Sequence, residues 1–160
     1  MAVLMRSQTD CEVAALATAL NITWEEAQKA LDWRRLPKGL ENPVFGNPLN
    51  LYRALIDLGY WKQNVTLTML LNGTCAPRKT IVLVKKSFLQ QHWVVWCGID
   101  AFGNHLLLWG DNEKPVTKTP VEMRDLFCKS QPNCAFQPYK ASAWRILWEK
   151  IKRFFGVKSE

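Results

Sequence analysis

Three residues have side chains suited to nucleophilic chemistry: Cys11 in the run Thr9-Asp10-Cys11-Glu12-Val13-Ala14-Ala15-Leu16, His92 at the head of an apolar run, and Asp111 further on. A thiol becomes an effective nucleophile when an imidazole takes its proton, and a carboxylate behind the imidazole can hold the ring in one tautomer. A group of this kind attacks carbonyl carbon. Hydrolysis of peptide or amide bonds, deamidation and acyl transfer are therefore all open to it.

The elements that must position these residues can be read from caps and periodicity. Thr9 and Glu12 have capping-box spacing ahead of an apolar run from Val13 to Leu20, which predicts a buried helix with Cys11 in its first turn. Unpaired amides and the positive end of the helix dipole there favour a thiolate and can hold an oxyanion, so the thiol is expected below its usual value of about 8.5. The Glu12 carboxylate works against that. Thr23 and Glu26 repeat the spacing and predict a second helix after Asn21. The stretch 37–48, with Gly39, Pro43 and Gly46, reads as a loop beside a cleft. Asn47 as cap, Pro48 in the first helical position, Leu51, Leu55 and Leu58 on one face and Gly59 as terminator predict a third helix. After Asn64 the pattern turns to strands: Val65–Leu70, Thr80–Val84, and a hairpin of His92–Ile99 with His105–Trp109 through Asp100-Ala101-Phe102-Gly103. Thr119 and Pro120 open a further short helix, and 141–155 has helical spacing. Helices first and antiparallel strands later make an α+β class.

The hairpin brings base and carboxylate together. A turn centred between Ala101 and Phe102 pairs His92 with Asp111 on one face, with Cβ atoms about 4.5–5.5 Å apart. A bulge would shift that register by one residue. Asn112 is a second candidate to orient the ring. His105 lies inside the second strand without a comparable cross-strand carboxylate and reads as a strand histidine. Cys97 belongs to an apolar run. Cys128 and Cys134 lack the close pairing of a zinc site, so neither metal nor cofactor is expected.

Length and composition bound the rest. With 160 residues, 48% of them hydrophobic, the chain can bury one core, expected over 1–140, followed by a basic amphipathic helix and tail over 141–160. Five scattered cysteines suggest free thiols in reducing surroundings. The N-terminus lacks a signal-peptide pattern and no apolar run reaches the roughly 20 residues of a membrane span, so a cytoplasmic location is expected. The net charge of +7 comes without a nucleic-acid-binding motif, and nucleic acid is not an expected partner. In the C-terminal segment Trp144, Leu147, Trp148, Ile151, Phe154 and Phe155 form an apolar stripe beside Arg145, Lys150, Lys152 and Arg153. Packing of that stripe on the domain's own core, or on a protein partner, is the first expectation. Binding to an anionic membrane surface, and so a peripheral location, is the second.

The runs Gln8-Thr9-Asp10-Cys11-Glu12-Val13-Ala14-Ala15-Leu16-Ala17, Asn50-Leu51-Tyr52-Arg53-Ala54-Leu55-Ile56-Asp57-Leu58-Gly59, His92-Trp93-Val94-Val95-Trp96-Cys97-Gly98-Ile99-Asp100 and Gly110-Asp111-Asn112 together resemble the C39-like papain-fold cysteine peptidases. The resemblance covers most of residues 5 to 115. It rests on an Asp-Cys opening before an alanine-rich helix, a His-Trp opening on a valine-rich strand ending in Gly-Ile, and an aspartate on the next strand. It implies a single papain-like domain with a helical lobe carrying the nucleophile and a C-terminal antiparallel sheet. The implied activity is that of a cysteine peptidase or related thiol acyl-hydrolase on peptide or protein substrates, with Cys11 as nucleophile, His92 as general base and Asp111 as the orienting carboxylate. The family carries an oxyanion glutamine six residues before its cysteine, where this chain has Met5; Gln8 is the glutamine expected to act instead. Glu12 stands where the family has glycine. These two departures support a second reading, a catalytically silent papain-like module that binds a protein partner.

Overall fold

The computed structural model describes residues 2–6, 11–31, 48–74, 79–85, 91–127 and 134–155. Six helices and six strands follow in chain order: α1 (Cys11–Leu20), α2 (Trp24–Ala30), α3 (Pro48–Asp57), β1 (Tyr60–Asn64), α4 (Leu67–Leu71), β2 (Thr80–Lys85), β3 (Gln91–Ile99), β4 (His105–Leu108), β5 (Val116–Lys118), α5 (Pro120–Leu126), β6 (Ala135–Lys140) and α6 (Ala143–Phe154). The strands make one antiparallel sheet in the order β1-β6-β2-β3-β4-β5. Three helices ahead of the first strand, three more between and after the strands, and a wholly antiparallel sheet give the expected α+β class.

The two central strands are buried along nearly their whole length. Thr80 to Val84 of β2 and His92 to Trp96 of β3 are all inaccessible, as strands covered on both faces must be. Helix α1 lies against both. Its Ala14, Ala15 and Ala17 keep the helix surface low so that the backbone approaches the sheet closely, and Leu16 fills the core. Both described capping boxes form as their spacing requires: Thr23 and Glu26 exchange side-chain and backbone bonds at the head of α2, and Thr119 and Glu122 do so at the head of α5. The expected Thr9 cap and the 37–48 loop lie outside the described residues, apart from Pro48, which opens α3.

The strand expected over Val65–Leu70 is a helix instead. Val65 still donates its amide to the Ala135 carbonyl at 2.9 Å, but the Thr66 hydroxyl then accepts from the Met69 amide at 3.2 Å and starts α4. A hydroxyl that can cap, followed by Leu67, Leu70 and Leu71 at helical spacing, outweighs the β preference of the run. The strand itself lies one element earlier, as β1. Two further strands, β5 and β6, had no sequence signal. β5 is three residues long, and β6 contains Pro138, which normally argues against a strand. Pro138 is tolerated because β6 pairs with β2 only through Ala135 and Phe136, while its remaining length pairs with β1.

In the β3–β4 hairpin, Val95 faces Leu108 and Trp96 faces Leu107, the register of a turn centred between Ala101 and Phe102. Closer to the tip, Gly98 faces Leu106 and Ile99 faces His105, one residue out of that register, with a bulge between Trp96 and Gly98. Gly98 has φ +134°, a conformation that favours glycine. The bulge and the five-residue tip, 100–104, offset each other. The base of the hairpin therefore keeps the alignment that points His92 toward the Asp111 end.

Helix α6 reverses the expected packing. Its stripe does not enter the domain's core: Trp144, Trp148 and Phe154 are 74%, 50% and 85% exposed. The polar side faces inward instead. Glu149 is buried and pairs with Lys152 at 3.3 Å, and Arg153 reaches Asp57 of α3 at 3.3 Å.

Candidate active site

Cys11 is the first residue of α1 and is buried against β3. The backbone amide of Trp93, the residue after His92, acts on the thiol and pulls it down, as do the amides of Cys11 and Glu12 at the helix start. The thiol and the His92 segment thus meet where α1 crosses β3. The thiol is not lowered as its helix position suggested. Burial pushes it above its ordinary value, the amides pull it back in part, and the Glu12 carboxylate raises it further. In the resting site desolvation outweighs the helix terminus, and the sulfur carries its proton.

His92 is buried on β3. Its Nε2 lies 2.9 Å from the Trp109 carbonyl oxygen, and its ring stacks on the Trp109 indole with centroids 5.5 Å apart. A carbonyl only accepts, so Nε2–H is the donor and Nδ1 is the basic nitrogen of the neutral ring. The sequence-based reading assigned this tautomer control to Asp111; the bond at Nε2 comes from a backbone carbonyl two residues earlier. β4 ends at Leu108, the ladder does not extend to residue 111, and Asp111 is exposed beyond Gly110, as is Asn112. Trp109 enters the sequence reading only as the end of the second hairpin strand. Its position two residues before Asp111 was the available signal, but a main-chain acceptor leaves no trace in residue identity.

Met5 is part of this site. Its amide donates to the Gly110 carbonyl at 2.9 Å, and a Cβ placed on Gly110 would come within 2.8 Å of Met5 Cγ and 3.4 Å of Ala14 Cβ. The N-terminal segment is held in place by the Val3 amide bonding Thr18 Oγ1 at 2.8 Å, and by Arg6, which binds Glu25 and stacks 4.2 Å from the Trp24 ring centre. The position at which the resemblance expects a glutamine is therefore beside the site, filled by a thioether that donates no hydrogen bond. Gln8 lies outside the described residues.

The other candidates are placed as core. His105 is fully buried, accepts the Trp96 indole N–H at Nδ1 over 3.1 Å, and is lowered by burial, with its own Nε2 unpartnered. Cys97 and Cys134 are free thiols, as is Cys11, while Cys128 lies outside the described residues. Among the described residues no cluster of three or more His, Cys, Asp and Glu is placed to hold a metal ion, and no helix is long and apolar enough to cross a membrane.

No protein-family model and no curated protein matches the chain. Solved structures do share its fold. The peptidase domain of Streptococcus ComA, a bifunctional ABC transporter involved in quorum sensing, superposes with a TM-score of 0.66 over 88% of this chain and 98% of that one, at 15% identity. A double-glycine-motif protease from an AMS/PCAT transporter, solved with its leader peptide, superposes with a TM-score of 0.63 over 88% of this chain and 91% of that one, at 13% identity. The fold is that of the C39 peptidase domains, as the sequence resemblance implied.

Proposed function

We propose that the chain is a cysteine peptidase or related thiol acyl-hydrolase acting on peptide substrates, with Cys11 as nucleophile, His92 as general base and Asp111 as the orienting carboxylate, its charge favouring the imidazolium from the solvent side. The observation that carries this is the packing of the α1 N-terminus on β3: the amide next to His92 acts on the Cys11 thiol, and the Trp109 carbonyl accepts from His92 Nε2, leaving Nδ1 as the basic nitrogen. Peptide as substrate class is supported by the shared fold, since one structure with that fold was solved holding a leader peptide.

Because the resting thiol is protonated, the reaction starts with general-base transfer rather than from a preformed ion pair. His92 takes the Cys11 proton as the sulfur attacks the scissile carbonyl, giving a tetrahedral oxyanion. The backbone amides at the start of α1, with Gln8, stabilise it. Its collapse breaks the C–N bond, and His92 returns the proton to the leaving amine. Water, deprotonated by the same ring, then hydrolyses the thioester and regenerates the thiol.

The test is cleavage of a mixed peptide library that includes double-glycine leader sequences, followed by mass spectrometry with the full chain. Cleavage by the unmodified protein is expected to fall by about a thousandfold or more in Cys11→Ala and His92→Ala, and by about ten- to a hundredfold in Asp111→Ala. Products that persist in Cys11→Ala, or no products from any form, would sink the enzymatic reading in favour of the catalytically silent papain-like module that binds a protein partner.

A further inference from the structure

We infer that the outward face of α6 is a docking surface for an anionic phospholipid bilayer, and that the groove at its flank holds lipid phosphate. This inference is independent of the chemistry at Cys11.

The helix is attached to the domain by its charged side. Arg153 binds Asp57 and the Arg53 carbonyl, Glu149 is buried and paired with Lys152, and the Arg145 guanidinium stacks 4.7 Å from the Trp61 ring centre. What remains outside is one continuous stripe of Trp144, Leu147, Trp148, Ile151, Phe154 and Phe155, spaced three and four residues apart, which share one face of a helix. A helix stabilised only by its own fold would place these side chains inward.

Charge selects the occupant. By helical spacing, Lys150 borders the stripe on one side, and the exposed Arg145, lying over the Trp61 ring, borders it on the other together with Lys152, which is paired with Glu149, the only acid of α6 and itself turned inward. Beside the Lys150 edge lies a shallow groove of about 410 Å³ lined by Lys140, Lys150, Ile146 and Leu147. Lys140 is exposed, its ammonium 4.7 Å from the Tyr60 ring centre. An apolar aromatic stripe with cations along both borders matches a bilayer surface, where acyl chains meet a layer of phosphates. Tryptophan is the residue type that partitions to that boundary. An apolar groove on a protein would be matched by these cations only if acidic residues lined both of its rims.

Flotation of the full chain with extruded vesicles tests this, using phosphatidylcholine alone or with roughly a third phosphatidylserine. Recovery with the anionic vesicles is expected to exceed that with neutral ones by about tenfold or more. It should drop to background in Trp148→Ser/Phe154→Ser, whose circular dichroism should match the unmodified chain because both side chains are exposed. Lys140→Gln/Lys150→Gln should reduce recovery by about twenty-five-fold with the apolar stripe intact, at about fivefold per cation. Equal recovery on both vesicle types, recovery unchanged in either double variant, or no flotation at all would overturn the proposal. So would self-association of the chain, seen by sedimentation and abolished in Trp148→Ser/Phe154→Ser, since the stripe would then be covered by a second copy.

Discussion

Helices α1 and α6 are both rich in apolar residues, yet they dock in opposite senses. α1 turns small apolar residues onto β2 and β3 and buries a thiol at its head, while α6 anchors through ion pairs and leaves its aromatic side to solvent. The difference shows what amphipathic spacing does and does not specify. It defines a face, but which face meets the body depends on what the body offers. Opposite α1 lie buried valines and tryptophans of β3; opposite α6 lie Asp57, the Arg53 carbonyl and the Trp61 ring.

The sharpest way to break this comparison is truncation on each helix. Leu16→Ala removes a fully buried side chain and should lower unfolding free energy by about 2–5 kcal/mol in urea titrations. Trp148→Ala, with a larger loss of side chain from a half-exposed position, should stay within about 0.5 kcal/mol. Equal losses would mean that α6 carries core stability after all.

A second, smaller effect concerns the site end of α1. Gly110→Ala forces a side chain onto a φ of +78° and into Met5 Cγ, which should cost about 1–3 kcal/mol by thermal denaturation. Combining it with Met5→Ala should recover the part due to the clash and leave the part due to the backbone. Full recovery would show that the left-handed conformation at 110 carries no strain.

The protonated resting thiol gives a third prediction. Glu12 raises the Cys11 value, so Glu12→Gln should lower it and increase the thiolate fraction at pH 8. Iodoacetamide labelling of Cys11, followed by peptide mass mapping, should then quicken by about two- to fivefold. An unchanged rate would remove Glu12 as the cause.

The weakest expected effect lies in the neighbouring hairpin. Burial holds His105 below its ordinary value, so as pH falls beneath about 6.5 the unfolded chain takes up that proton before the folded one does. Stability from this group is complete above that pH and is lost toward the lower folded value. The fall in Tm between pH 7.5 and 5.5 should be smaller in His105→Leu than in the unmodified chain by about 2–5 °C. An identical fall would assign acid sensitivity elsewhere.

Much of this arrangement was legible in the residues themselves. The capping box at Thr23, the Thr119 cap with Pro120 behind it, Pro48 at the head of α3, and the β3–β4 alignment at the hairpin base all follow from local chemistry that tertiary context did not override. The resemblance pointed to the right fold. What escaped has physical causes. Thr66 is compatible with a strand until its hydroxyl finds the Met69 amide. β6 is specified by its partners rather than by its own sequence, and Pro138 disguises it. The raised thiol depends on desolvation by elements distant in the chain, and the acceptor on His92 is a main-chain atom of Trp109. The position of the α6 stripe depends on the surface beneath it.

The bulge between Trp96 and Gly98 has a consequence for how the hairpin can change over time. Since the slip it introduces is cancelled by the five-residue tip, a change in tip length must be matched by a change at the bulge if the base is to keep its alignment. The Phe102 side chain, which stands in solvent, can be exchanged at constant tip length while His92 and Trp109 stay in contact. The hairpin has a tolerant outer end joined to an inner end that can hold a precise geometry.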